Sequence, residues 1–382
     1  MDRADAFAFE RPVRIADIRA YALEAPCPEP IRTSFGVMRV RPAVLVRIED
    51  QDGAAGWGEA WCNFPAGGGR HRANLIRQVL APIAGEISLG HPADLFRHLS
   101  ERLRILALQT GEPGPLAQCT AALDIALWDL AARRAGRPLW QWLGGTDGSV
   151  PAYASGINPT APERTVERAM AQGFAAFKLK IGFDPETDTR NLATLRGVIG
   201  TSQPLMADAN QAWSLAVAER QVEALAPFGL AWLEEPIAAD HAQADWLKLA
   251  ARSPMPLAAG ENMTSEEAFV AAAKSGAFGV LQPDLAKWGG ISGCLPVARA
   301  IRDAGRRYCP HYLGGAIGLL ASAHLLAAVG GDGLLEVDIN DNPLRSEFLP
   351  ETAGLRSGRF HLPQAPGLGC EPDMALVRRY EV

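Results

Sequence analysis

Apolar and polar positions alternate along the first sixty residues. Val44, Val46 and Ile48 fall on one face of a stretch over 42–60, Gly53 interrupts it before Trp57-Gly58-Glu59-Ala60, and a similar run covers 13–24. A period of two is that of a half-buried strand, so these runs predict a hairpin-like start to an α+β unit. From Leu75 to Arg104 and from Cys119 to Ala135 the spacing becomes helical. In the second stretch Ala122, Ile125, Ala126, Leu127, Leu130 and Ala132 form a broad apolar face that Gly136 ends. After Gly144-Gly145 short apolar strands alternate with Ala-rich helical stretches: Val150–Ser155, Ala176–Ile181, Pro204–Ala207, Ala231–Leu233, Leu257–Gly260, Val280–Gln282, Tyr308–Pro310 and Leu334–Val337. Strands separated by helices pair in parallel, because parallel neighbours need a crossover, so this half predicts an α/β barrel. The expected division is an α+β unit over 1–148, a barrel over 149–352, and a Pro/Gly-rich tail over about 353–382 that runs back over the first unit.

The 382 residues suit a barrel of roughly 200 to 250 residues plus a smaller partner. With 48% apolar and 21% charged residues the chain has material for a large core. A net charge of -6 and the lack of a Lys/Arg-rich run argue against nucleic acid, so an anionic substrate must be drawn in by local cations. Six scattered cysteines without a C-x-x-C pair fit reduced thiols in a cytosolic protein. Neither an apolar leader at Met1–Glu10 nor a run of about 18 apolar residues is present, so no membrane association and a cytoplasmic location are expected.

Ionisable or polar residues stand at the end of almost every predicted barrel strand: Lys178 and Lys180, Asp208 and Asn210, Glu234 and Glu235, Glu261 and Asn262, Asp284 and Lys287, His311, and Glu336. From 180 to 208, 234, 261, 284, 311 and 336 the steps are 23 to 28 residues, about one strand, one helix and two loops. Residues at that period converge on the C-terminal mouth of a barrel, where barrel active sites lie. Asp208, Glu234 and Glu261 offer hard oxygen ligands from three adjacent strands, which suits Mg²⁺. Charge that develops when a proton leaves next to a carboxylate must be neutralised as it forms. Lys178 and Lys180 alternate on one strand, and their like charge is expected to lower the pKa of one and free an amine as base. Asp284 and His311 sit on neighbouring strands, where a carboxylate can orient an imidazole.

Together and in order, Lys178-Leu-Lys180, Asp208-Ala-Asn210, Trp232-Leu-Glu-Glu-Pro236, Gly260-Glu-Asn262, Pro283-Asp284, Lys287-Trp-Gly-Gly290, His311 and the Ala126-Leu-Trp-Asp129 helix resemble the mandelate racemase subgroup of the enolase superfamily over nearly the whole chain. The resemblance implies a capping domain on a (β/α)₇β barrel, with Mg²⁺ on Asp208, Glu234 and Glu261. It further implies Lys180 as base on one face and His311, paired with Asp284, as acid/base on the other. Lys178 would touch the substrate carboxylate, Glu336 would hydrogen-bond it, and Asn210 would stabilise oxygens at the metal. A symmetric homo-oligomer is implied as well. The loop Tyr312–Gly318 is longer than in the racemase itself and resembles members that dehydrate sugar acids.

Each residue has a bland alternative. Glu-Glu-Pro by itself is a solvated strand end; the company of Asp208 and Glu261 is what turns it into a ligand, with Glu235 placed behind it. Lys287, beside Trp288-Gly-Gly290, reads as structural, and His324 in an Ala/Leu-rich helix reads as packing. Loops Pro28–Met38 and Trp61–Arg72 are expected to close over the mouth, with Phe35, Trp61 and Phe64 against the substrate and Arg32, Met38, Asn63, His71 and Arg72 beside them. The expected activity is dehydration of a sugar acid or related hydroxy acid. Its rival is a racemase or epimerase in which Lys180 and His311 exchange the α-proton from opposite faces. Outside that chemistry stand a barrel without catalysis and a Schiff-base lyase using Lys180.

Overall fold

A computed structural model describes residues 7–33 and 36–382. Strands β1 (Ile15–Thr33), β2 (Gly36–Asp50) and β3 (Ala55–Ala60) form an antiparallel sheet. The first two extend well beyond the predicted runs, converting most of the expected loop at 28–38 into a two-stranded ribbon. Pro26, Pro28 and Pro30 lack an N–H, and the ladder shifts register between Pro26 and Ile31. The helical stretch expected over 75–104 is two pieces: a continuous helical run from Gly68 to Ala84 and a helix over Ala93–Thr110. Gly85, Gly90 and Pro92 lie between them and break a periodicity that the apolar spacing alone carries through.

The helix Pro113–Arg134 is buried on nearly every face, wedged between this sheet and the rest of the molecule. Gly56 and Gly58 let β3 lie directly on it, since a Cβ at either would run into the backbone of Ala122, Ala126 or Leu130. Asp129 ties the layers together by accepting from the backbone N–H of Trp57 at 2.8 Å and of Leu368 at 2.6 Å.

Strands β4 (Ser149–Ile157), β5 (Phe177–Lys180), β6 (Leu205–Asp208), β7 (Leu233–Glu234), β8 (Leu257–Ala259), β9 (Val280–Leu281) and β10 (Arg307–Tyr308) pair in parallel in sequence order, and β11 (Leu335–Asp338) pairs in parallel with β4. Between β10 and β11 the Leu334 N–H donates to Cys309 Sγ at 3.3 Å. One helix follows each strand up to β10, giving a (β/α)₇β barrel with the α+β unit as its cap. Beneath the mouth the barrel is filled by Tyr153, Met206, Trp232, Ala258, Val280 and Cys309. A hairpin of β12 (Gly354–Arg356) and β13 (Arg359–His361) pairs with the start of β4, and the chain then crosses to the cap, where Leu23 bridges Glu381. Among the described residues no cysteine is in a disulfide, and no helix is long and apolar enough to cross a membrane.

Candidate active site

Strand parity builds the mouth. Ladder partners Lys180, Asp208 and Glu234 stand side by side on β5, β6 and β7. Residues two before them, among them Lys178, Met206 and Trp232, also point inward, as the period of a strand requires. The same count brings Gln282, Asp284, Cys309, His311, Glu336 and Asp338 to the interior from β9, β10 and β11. Glu261 has the wrong parity relative to Ala258. Gly260 corrects it with φ +138 in close contact with the backbone of Gln282, a conformation that turns the next residue into the mouth.

Lysines and an imidazole are interleaved with the carboxylates. Lys178 Nζ donates to Glu234 at 2.7 and 2.8 Å and meets Glu336 Oε1 at 2.7 Å; Lys180 Nζ donates to Asp208 Oδ2 at 2.6 Å. Burial pulls both lysines down, but Glu234 and Glu336 around Lys178, and Asp208 beside Lys180, outweigh it and hold both above the ordinary lysine range. The expected depression of one lysine by its like-charged neighbour is therefore not what this arrangement produces. His311 Nδ1 lies 2.7 Å from Asp284 Oδ2, and its Nε2 lies 2.8 Å from Glu261 Oε2. Burial opposes the charged imidazole, yet Glu261 and Glu336 raise it to about 10. Asp284 is itself fixed by the N–H groups of Ala286 and Lys287 at 2.9 and 3.1 Å.

Two residues enter the cluster against or beyond expectation. Lys287 is no outlying structural lysine: its Nζ donates to Glu261 Oε1 at 3.1 Å and stands 4.9 Å over the Trp61 ring. Its strand ends earlier, but the Asp284 turn folds the chain back over the mouth. Gln282 donates to Glu234 Oε2 at 2.6 Å, and its inward parity was the signal that could have found it. Glu235 sits behind the trio, accepting from Gln211 at 2.8 Å and Asn262 at 3.0 Å, with a left-handed φ of +37 that its surroundings must hold.

A cavity of about 290 Å³ lies above, lined by Lys180 at the end of β5 and His311 after β10, with Asn210, Gln211, Glu261, Asn262 and Lys287 from the barrel. The cap contributes Met38, Arg41, Trp61, Asn63 and Phe64. Lys178, Asp208, Glu234 and Glu336 lie beneath it and do not line it. Phe35 falls outside the described residues. His71 pairs instead with Glu112 at the surface, and buried Arg72 braces its own loop through the carbonyls of Gly68 and Phe64. Glu59 on β3 accepts from the N–H groups of Gly315 and Gly318 at 2.6 and 3.0 Å, so the cap holds the loop after His311.

As they stand, no three His, Cys, Asp or Glu side chains among the described residues are grouped closely enough to hold one ion. The reason is visible: Asp208, Glu234 and Glu261 are each turned to a lysine or His311. The donor set still fits a hard dication. Six carboxylates (Asp208, Glu234, Glu235, Glu261, Asp284, Glu336) face three lysines (Lys178, Lys180, Lys287) and His311, so even with the imidazole charged two negative charges remain uncompensated. Burial, with its like-charged neighbours, accordingly lifts Glu234 to about 7 and Glu235 to about 8.

Residues 17–144 match the mandelate racemase/muconate lactonizing enzyme N-terminal domain, and residues 162–376 match the enolase C-terminal domain-like family. The chain belongs to the mandelate racemase/muconate lactonizing enzyme family of the enolase superfamily. Within that family it is 31% identical to a D-galactarolactone cycloisomerase of Agrobacterium fabrum, over 97% of this chain and 99% of the relative. A crystal structure of a mandelate racemase/muconate lactonizing enzyme from Bordetella bronchiseptica RB50 is 54% identical and superposes with a TM-score of 0.90 over 97% of this chain and 99% of that one. An L-talarate dehydratase from Polaromonas sp. JS666, solved with Mg and L-glucarate, is 27% identical with a TM-score of 0.81 over 97% and 98% of the two chains. Relatives in this family include dehydratases, cycloisomerases and racemases, and this member is an enzyme of the lyase or isomerase type.

Proposed function

We propose that this enzyme removes the proton α to the carboxylate of a sugar acid or related hydroxy acid and eliminates water from it. The observation that carries the reading is that Lys180 and His311, from non-adjacent strands, line one cavity, with carboxylates beneath and beside them. Asp208, Glu234 and Glu261 would hold Mg²⁺, which supplies positive charge against the anion that forms when the α-proton leaves. With those carboxylates engaged by a dication, Lys180 would lose the partner that keeps it charged, and its amine could accept a proton. The C–H bonding pair then forms the C=C bond as the β-carbon to oxygen bond breaks, and His311 Nε2 gives its proton to the departing hydroxyl, releasing water. Asp284 keeps the imidazole ring oriented for that transfer. Lys178 and Glu336 do not line the cavity as it stands; with Glu234 engaged by the dication, Lys178 would be released to meet the substrate carboxylate from below, with Glu336 in its protonated form hydrogen-bonding it, and Asn210, Glu235 and Asn262 would brace the ligands. Trp61 and Phe64 close the apolar side.

The racemase or epimerase reading uses the same pair and differs only in whether a β-hydroxyl is present to leave. Incubation of hydroxy acids with the Mg²⁺-loaded enzyme in D₂O, followed by NMR, separates them: loss of water supports dehydration, and deuterium uptake with inversion supports racemisation. No exchange on any acid, with and without Mg²⁺, removes both. The same reading assigns residues 1–148 with the 353–382 tail to the cap and 149–352 to the barrel, and expects a symmetric homo-oligomer, which light scattering tests.

A further inference from the structure

The reaction does not explain the cavity wall formed by Arg41. From β2 in the cap this side chain reaches the end of β11, where one guanidinium nitrogen donates to Asp338 Oδ2. Its Nη1 meets Met38 Sδ at 3.7 Å, so a strong donor faces a weak acceptor, and both residues line the cavity. Arg41 is only 4% exposed. Asp338 is fixed: Oδ1 accepts from the Asn340 N–H at 3.0 Å and from its Nδ2 at 2.7 Å, while Oδ2 is shared between Arg41 and Arg345 Nη1, the latter at 3.5 Å. Arg345 Nη1 is buried without a hydrogen-bond partner.

Two guanidinium groups therefore share one carboxylate among the described residues. Around the rest of the cavity each cation has a carboxylate of its own: Asp208 for Lys180, Glu261 for Lys287, Asp284 for His311. A buried surplus of positive charge is costly until an anion arrives, and a guanidinium fork suits a carboxylate. The location adds direction. Around the ring β11 stands four strands from β7 either way, so Arg41 faces the Asp208, Glu234 and Glu261 side from across the mouth.

We propose that Arg41, oriented by Asp338 and backed by Arg345, binds a second carboxylate at the far end of the substrate, so that the enzyme acts on hydroxylated dicarboxylic acids in preference to monocarboxylic ones. This rests on the α-proton reading above. Its test compares a six-carbon aldaric acid with the aldonic acid of the same configuration by α-proton exchange in D₂O. Calorimetric binding of adipate against hexanoate needs no turnover and runs beside it. The diacid is expected to be the better substrate and adipate the tighter ligand. Arg41→Gln should shrink the diacid-to-monoacid ratio of kcat/KM, and adipate affinity, by about tenfold to a hundredfold, with Arg41→Lys between, and melting curves report folding of both variants. Equal use of both acids by the wild type, or a ratio unmoved by either substitution, overturns the proposal. Arg41-dependent adipate binding without exchange on any acid would overturn the reaction reading and leave the recognition site standing.

Discussion

At His311 the orientation of one ring is set by groups that do not react. With Asp284 accepting from Nδ1, the Nε2 atom is left facing the cavity and Glu261. His311→Asn is expected to slow turnover by about a hundredfold to ten-thousandfold, the usual worth of a positioned acid or base. Asp284→Asn, which keeps the shape and removes the charge, should cost about a hundredfold or more. Turnover measured by NMR at the wild-type rate in His311→Asn would remove the residue from the mechanism. Most of the site at this scale was legible, because inward parity and a recurring spacing identify Lys178, Lys180, Asp208, Glu234, Asp284, His311 and Glu336. Gln282 was not, and Lys287, placed at a strand end but read as structural, shows its contact with Glu261 only once the turn that returns it is seen. Glu336 and Asp338, alike in parity, differ in their partners, Lys178 and Ser155 for one and two arginines for the other.

Among the elements, the contact between the helices Pro113–Arg134 and Gly290–Asp303 joins cap to barrel just behind the Lys287 turn. Asp124 accepts from the Ser292 N–H at 2.9 Å and from its hydroxyl, at the start of the second helix. Gly290 makes this possible: its φ is +53, and a Cβ there would press into the Asp124 side chain. Gly290→Ala should therefore destabilise the protein by about 2–4 kcal/mol, combining left-handed strain with overpacking, and lower the melting temperature. A melting curve superimposable on wild type would show that the two helices part easily. The Gly-Gly dipeptide is plain in the sequence, but the residue it makes room for lies in another domain.

On the scale of the whole molecule, His324 joins three parts. Its Nδ1 accepts from the Trp140 N–H at 3.0 Å and its Nε2 donates to the Leu368 carbonyl at 3.2 Å, linking a barrel helix to the interdomain connection and the tail. Burial drives its pKa down to about 3. A histidine depressed in the folded state binds fewer protons than in the unfolded chain between about pH 6.5 and 3, so its contribution to stability is whole above that window and falls as the pH drops through it. Urea midpoints followed from pH 7 to pH 4 should decline more steeply for the wild type than for His324→Gln, and parallel curves would show that the histidine takes up no extra proton on unfolding, so that folding does not depress its pKa. The packing role expected for this residue is met with both ring nitrogens satisfied.

Sequence alone determined the alternation of strands and helices, a parallel barrel and the strand-end residues that could carry chemistry, because these follow from side-chain periodicity, a local property; the (β/α)₇β form was implied by the family resemblance. It could not determine which carboxylate meets which cation, or that Gly260 turns Glu261 inward. Nor could it place Arg41, forty residues into the cap, beside Asp338 at the end of the last barrel strand. Those are decided by contacts between segments far apart in the chain, whose energies depend on burial and on the sum of neighbouring charges, and such sums exist only once the chain has closed around them.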